Sequence, residues 1–321
     1  QINSGLNYLF GVDINSTVQV LLIIGITMLA TMSVVSGIDK GVKFLSEINI
    51  KIAGIFMLIV FILGPSAYII RLFGNSLGVY LNDFIEASFF IGNSESTWQA
   101  GWSVFYLAWW ISWSPFVGMF IARISKGRTI REFVLAVLII PSLLSFLWLS
   151  TFGGTAIYID ALQNGALLET VGSNLPVALF EMIQYLEAPI LQGIVRTILS
   201  VVGTILVVSF FVTSSDSGSL VVDNITSGGK LNSPVTQRVF WASMEGLVAI
   251  VLLLIGGEAA LKALQTAVIA TGLPFAILMI VMSLMLVDSV RKAYKKQKLV
   301  KDLEHFETMM EEYESSEESV A

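Results

Sequence analysis

No cysteine occurs in the 321 residues. Disulfides and thiolate metal sites are therefore excluded. Histidine is nearly as scarce: the single one, His305, stands in a charged tail, so no histidine cluster can build a zinc centre. A Ser-His-Asp hydrolase would need that same residue, far from any apolar pocket, and the apolar stretches offer no paired acid and base for enzyme chemistry. Charge is scarce too. Asp, Glu, Lys and Arg make up 13% of the chain, where a soluble domain carries about 25%. No basic patch interleaved with aromatics points to nucleic acid. What abounds is apolar: 55% hydrophobic residues and a mean hydropathy of +0.81. A water-soluble fold of this length could not hide that much apolar surface, so the solvent for most of the chain is a lipid bilayer.

Seven stretches are long and apolar enough to cross about 30 Å of hydrocarbon as helices of roughly 20 residues. They are 17–37, 52–73, 101–123, 132–158, 191–214, 237–256 and 263–288. Backbone groups in lipid must bond within their own segment, which forces helices. The strict alternation of a barrel strand is absent. The expected fold is an all-α membrane protein, with residues 1–290 as the membrane domain and 291–321 as a charged tail. The chain opens at Gln1 on helix-like sequence, as a span cut partway would, and reads as a fragment.

The loops orient these spans. One side collects Lys40, Lys43, Lys51, Arg123, Lys126, Arg128, Arg131, Lys230, Arg238 and six tail cations from Arg291 to Lys301, while the other holds Arg71, Arg196 and Lys262. Fifteen against three is a strong positive-inside bias, which puts the tail in the cytoplasm. Two long connections on the outer side, 74–100 and 159–190, are acidic, with Asp83, Glu86 and Glu95 in the first and Asp160, Glu169, Glu181 and Glu187 in the second. Each has helical periodicity and is read as an amphipathic helix at the interface rather than a lid.

The third span holds the main signal. Four of the seven tryptophans fall between Trp102 and Trp113. Membrane tryptophans normally sit in belts at the two interfaces, but these run into the middle of the span. At about 100° per residue, Trp102, Phe105, Tyr106, Trp109, Trp113 and Phe116 share one face and Trp110 lies to its side. A box of aromatic faces attracts quaternary ammonium, which cannot donate hydrogen bonds, by about 2 kcal/mol or more when desolvated. Large rings also pack helices together, and spacing alone leaves both readings open. Pro115 interrupts the hydrogen bonding of the same span.

The fifth span ends in Phe210, Phe211, Val212, Thr213, Ser214, Ser215, Asp216 and Ser217. Phe210, Thr213, Ser214 and Ser217 share a face. Hydroxyl and carbonyl oxygens without a carboxylate suit a monovalent ion such as sodium. Helix–helix hydrogen bonding and back-bonding to the preceding turn are the other reading. Asp216 turns away from that face, to cap a helix resuming at Ser217 or to pair with a cytoplasmic base. Glu245, inside the sixth span, is the sharpest intramembrane charge, and an ion pair with Arg238 or a loop arginine is expected for it.

The run GWSVFYLAWWISWSPFVGMFIARISKGRTIREF, Gly101 to Phe133, together with SFFVTSSDSGS, Ser209 to Ser219, resembles the betaine/choline/carnitine transporter family. QINSGLNYLFG and SGIDKGVKFLSEINI fit the same pattern, and the resemblance covers all but the acidic tail. It implies a twelve-span transporter of two inverted five-helix repeats, of the LeuT type, of which this chain holds the end of the fifth span and spans six to twelve. It implies further that Trp109, Trp110 and Trp113 form the substrate box and pathway, with Trp102 and Phe105 lining the outer route. Phe116 would stand near one sodium site, and Phe210, Thr213 and Ser214 would form half of another. Many members carry Trp where Leu107 stands, so the wall is thinner here. The implied protein is a homotrimer in a bacterial inner membrane.

The leading expectation for function is uptake of glycine betaine by sodium symport. Choline, carnitine or another zwitterion, by symport or exchange, is the alternative, and a ligand-binding osmosensor is a third. In the tail, cations from Arg291 to Lys301 precede an acidic block from Asp302 to Glu318. This suggests a hinge between a membrane-held basic part and a free acidic part.

Overall fold

The computed structural model describes residues 1–37, 41–92, 97–187, 191–230 and 233–318; Lys40 and Glu95 lie outside them. Among the described residues every regular element is helical. Helix α1 (Ile2–Phe10) is followed by α2 (Ser16–Ser36), whose cap Asn15 accepts from the Val18 amide, a favoured N-cap arrangement. Next come α3 (Lys43–Leu63) and α4 (Ser66–Ser88). A π-helical turn at Ala100–Val104 leads into α5 (Phe105–Ile124). Thr129 and Glu132 make a reciprocal capping box that starts α6 (Ile130–Val134), which continues through a π turn into α7 (Ile140–Leu162). Two short helices, α8 (Ala166–Asn174) and α9 (Ala178–Gln184), precede the long α10 (Gln192–Thr226). The last helical stretch, Val235–Glu318, breaks at Gly257, where φ 49° and ψ −129° suit only glycine. The break separates α11 (Val235–Gly257) from α12 (Lys262–Met310), and helical backbone runs on to Glu318.

Among the described residues eight helical stretches are candidates by length and composition to cross a membrane, and three boundaries differ from those expected. The stretch 52–73 is not one span. Helix α3 occupies 43–63, Gly64 and Pro65 end it, and α4 starts at Ser66, because proline has no amide proton to continue the ladder. Lys43 and Lys51, expected in a loop, therefore sit in the first turns of α3. The eighth candidate, Ala166–Gln184, falls in the connection read as interfacial. It is two helices of nine and seven residues joined by a 3₁₀ turn containing Pro176. Neither exceeds about 14 Å at 1.5 Å per residue. Finally, α10 does not stop near Ser214. It continues to Thr226, which carries its polar end three turns further.

The chain forms two compact units. The larger takes residues 1–94 and 116–262, with α10 as its spine, packed along α2 and α3. Phe56 and Val60 of α3, Ile159 of α7, Ile183 of α9 and Leu199 and Leu206 of α10 make its main core. Ile26 and Ala30 of α2 meet Val212 of α10 in a second cluster. The smaller unit takes residues 95–115 and 263–321. There α5 approaches α12 through Ala108, whose methyl carbon would stand 2.8 Å from a Cβ placed on Gly272, so only glycine allows this approach.

Candidate functional site

The face of α5 that packs is the small one. Ser112 is 7% exposed and donates to the Val268 carbonyl at 3.0 Å. The Thr271 hydroxyl donates to Ser112 Oγ at 3.2 Å. Together with Ala108 and Gly272 these groups take up the contact with α12. The large rings point elsewhere. Trp110 is 61% exposed, Trp113 47%, and Trp102, Tyr106 and Trp109 are likewise open. They form two sets. Trp102 stacks on Tyr106 at 5.6 Å, and Phe105 meets Trp109 edge-on at 5.2 Å. One turn on, Trp110 and Trp113 stand T-shaped at 5.4 Å and 75°. Perpendicular rings at that spacing are a favoured aromatic pair, and they form a corner whose ring faces can attract a cation.

Pro115 sits inside α5 without ending it. The carbonyl it orphans is that of Ile111, four residues back, and Ser114 Oγ donates to that oxygen at 2.9 Å. A hydroxyl thus replaces the missing amide, as serine does in membrane helices broken by proline.

On α10 Thr213 is held both by its own helix and by α3. Thr213 donates back to the preceding turn, with the Ser209 and Phe210 carbonyls each at 3.1 Å. It accepts from Asn49 Nδ2 of α3 at 3.3 Å, which leaves one lone pair free. Asn49 is buried, and its Oδ1 has no partner. A cavity of about 690 Å³, lined by Ser46, Asn49, Trp148, Phe210 and Thr213 among others, lies beside it. Ser214 lines a different cavity of about 570 Å³, with Phe210 again in the wall. The ring of Phe210 therefore stands between the two hydroxyls. Phe116 lines neither cavity. Thr213 and Asn49 thus offer neutral oxygens to one cavity and Ser214 to the other, and the back-bonding of Thr213 serves packing. Asn49 was missed from sequence, where it is only one polar residue in an apolar helix; its partner is 164 positions away.

The acids depart from expectation. Asp216 neither caps a new helix nor pairs with a base, because α10 runs through it unbroken. It is fully buried and accepts from Ser33 Oγ of α2 at 2.5 Å. Glu245 does not pair with Arg238. It accepts from Ser215 Oγ at 2.9 Å, while Arg238 Nη1 donates to the Val34 carbonyl at 3.2 Å. Hydroxyls on the facing helices reach these carboxylates, and the backbone of α2 draws the guanidinium away.

Residues 1–295 match the family model of betaine/carnitine/choline transporters. A glycine betaine/proline/choline transporter of Vibrio parahaemolyticus is 46% identical over 305 residues, covering 93% of this chain and 53% of the relative. Glycine betaine transporter 1 of the same organism is 45% identical over 291 residues, 91% of this chain and 54% of the relative. A probable glycine betaine transporter of Desulfitobacterium hafniense is 38% identical over 291 residues, 91% and 57% respectively. The chain thus spans about half the length of the curated relatives it matches.

Proposed function

The chain belongs to the betaine/carnitine/choline family of transporters, and on that premise we propose that it forms the C-terminal part of a secondary transporter that takes up a quaternary-ammonium osmolyte, glycine betaine, by sodium symport. The observation that carries the reading is the division of labour on α5. Its small face packs through Ala108 and Ser112, and its rings stay open. Trp110 and Trp113 hold the trimethylammonium group by cation–π attraction, which needs no carboxylate, with Trp109, Trp102 and Phe105 along the approach. Thr213, Ser214 and Phe210 belong to one coupling-ion site and Phe116 to the other, and Asn49 fixes the rotamer of Thr213. The protein works as a homotrimer in a bacterial inner membrane with the α12 tail in the cytoplasm.

A second reading widens the substrate. One relative is named for proline and choline besides betaine, and an aromatic corner does not by itself distinguish betaine from choline. The test is uptake of radiolabelled betaine by the transporter containing this chain, with sodium present or replaced, and with choline and proline as competitors. Sodium-dependent, saturable betaine uptake is expected. Uptake indifferent to sodium defeats the symport reading, and no uptake of any of the three substrates defeats both readings.

A further inference from the structure

Beyond Ser214 the helix α10 carries an acid that neither the aromatic corner nor the hydroxyls use. Asp216 is fully buried. Glu245 comes to it from α11 and is the charged group that acts on it. The approach of α11 is enforced by Gly246, where a Cβ would fall 2.2 Å from Thr27 Oγ1 of α2; no side chain fits there. Each carboxylate has one oxygen held by a hydroxyl: Asp216 Oδ2 by Ser33 at 2.5 Å and Glu245 Oε2 by Ser215 at 2.9 Å. Asp216 Oδ1 has no hydrogen-bond partner. Glu245 Oε1 lies over Gly218, 3.5 Å from a Cβ placed there. Ser219 is 1% exposed and its Oγ turns toward the Glu245 carboxylate without completing a well-formed hydrogen bond. Neither carboxylate has a Lys or Arg ion-pair partner among the described residues.

Buried charges are found paired or coordinating a metal, because desolvating a lone one is prohibitive. Here a fully buried Asp216 and a half-buried Glu245 lie on facing helices with no Lys or Arg ion pair among the described residues, and the buried Ser219 hydroxyl reaches the same place. We propose that Asp216, Glu245 and Ser219 form an additional cation site, between α2, α10 and α11, for a monovalent ion of sodium's size. The donors are hard oxygens. Calcium takes six to eight such ligands and magnesium a rigid octahedron, and no third Asp, Glu, His or Cys joins this pair among the described residues. A monovalent ion needs less charge, and the donations from Ser33 and Ser215 disperse what remains. The site is separate from Thr213 and Ser214 and needs neither the aromatic corner nor betaine.

Sodium-22 binding to the purified 321-residue chain in lipid nanodiscs tests this, at constant pH and with N-methylglucamine balancing ionic strength. A Thr213→Ala/Ser214→Ala background silences the hydroxyl oxygens on the other face. Saturable sodium binding is expected to persist there, to weaken at least tenfold with Asp216→Asn or Glu245→Gln, and to weaken severalfold with Ser219→Ala. Sodium should also raise the midpoint of thermal unfolding, and that shift should vanish with the same changes. If Asp216→Asn does not fold, Glu245→Gln and Ser219→Ala carry the test. The proposal is overturned if the folded background chain binds no sodium, or if binding is indifferent to these changes. It is equally overturned if the pair takes only a proton, seen as a carboxylic C=O infrared band that sodium does not alter.

Discussion

Helices α5 and α10 both carry candidate binding residues, yet they hold them in opposite ways. Helix α10 is buried along its length, from Leu199 and Leu206 to Asp216, Ser219 and Asp223, and its polar groups face neighbouring helices. In α5 the one buried residue is Ser112, and its tryptophans are open. The difference teaches which residue is doing what. A group wedged in a packed helix, such as Thr213 under Asn49, has its orientation set by the fold. A ring on a helix face that packs on nothing within this chain is not needed for the chain's own core.

The sharpest way to break this comparison is through stability. Leu206→Ala on α10 should cost about 2–5 kcal/mol, as buried leucine truncations do. Leu107→Ala on the open face of α5 should stay within about 0.5 kcal/mol. Equal midpoints in chemical denaturation of the two variants would erase the distinction. Ligand binding should invert the order. Trp110→Ala or Trp113→Ala should weaken betaine binding by about 1–3 kcal/mol with little loss of stability, and Trp→Phe should cost less. Normal calorimetric affinity in folded alanine variants would return these rings to packing.

Smaller effects sharpen the picture. Thr213→Ala together with Ser214→Ala should raise the sodium concentration for half-maximal uptake about fivefold, roughly 1 kcal/mol. Betaine affinity at saturating sodium should move less; an unchanged sodium response leaves the hydroxyls as packing groups. Ser114→Ala should uncover the Ile111 carbonyl and lower thermal stability by about 1 kcal/mol, whereas Ser114→Thr should not. The smallest effect is expected at the tail. Its helix runs to Glu318 without a non-helical residue after Gly257, so the expected hinge between basic and acidic blocks is not in the backbone. One exposed i,i+4 pair, Lys292 with Asp288 at 2.6 Å, braces its start, and such pairs contribute only about 0.3–0.5 kcal/mol. Deleting residues 302–321 should shift the ionic-strength dependence of uptake, and identical curves would remove any regulatory role.

The helical class, the family motifs and the aromatic face of α5 were legible because each is local. Apolar length demands a bilayer and hence helices, and a 3.6-residue period places Trp109 and Trp113 on one side. The second span was misplaced because hydropathy averages over a window. It passed across Gly64 and Pro65, and it discounted the first turns of α3, where Lys43, Glu47 and Lys51 begin an otherwise apolar helix.

By itself, then, the sequence determined the solvent, the helices and which residues share a face. Only the tertiary structure decided what each face meets. Ser33 and Asp216 are 183 positions apart, and no periodicity relates them. They meet because Gly246 lets α11 settle on α2 while Val212 packs against Ile26 and Ala30 beside them. The same holds for Arg238, which sequence proximity assigns to Glu245 and which the fold turns to the Val34 carbonyl. Partners of a buried charge are chosen by which helices touch, and that choice is a property of packing in three dimensions.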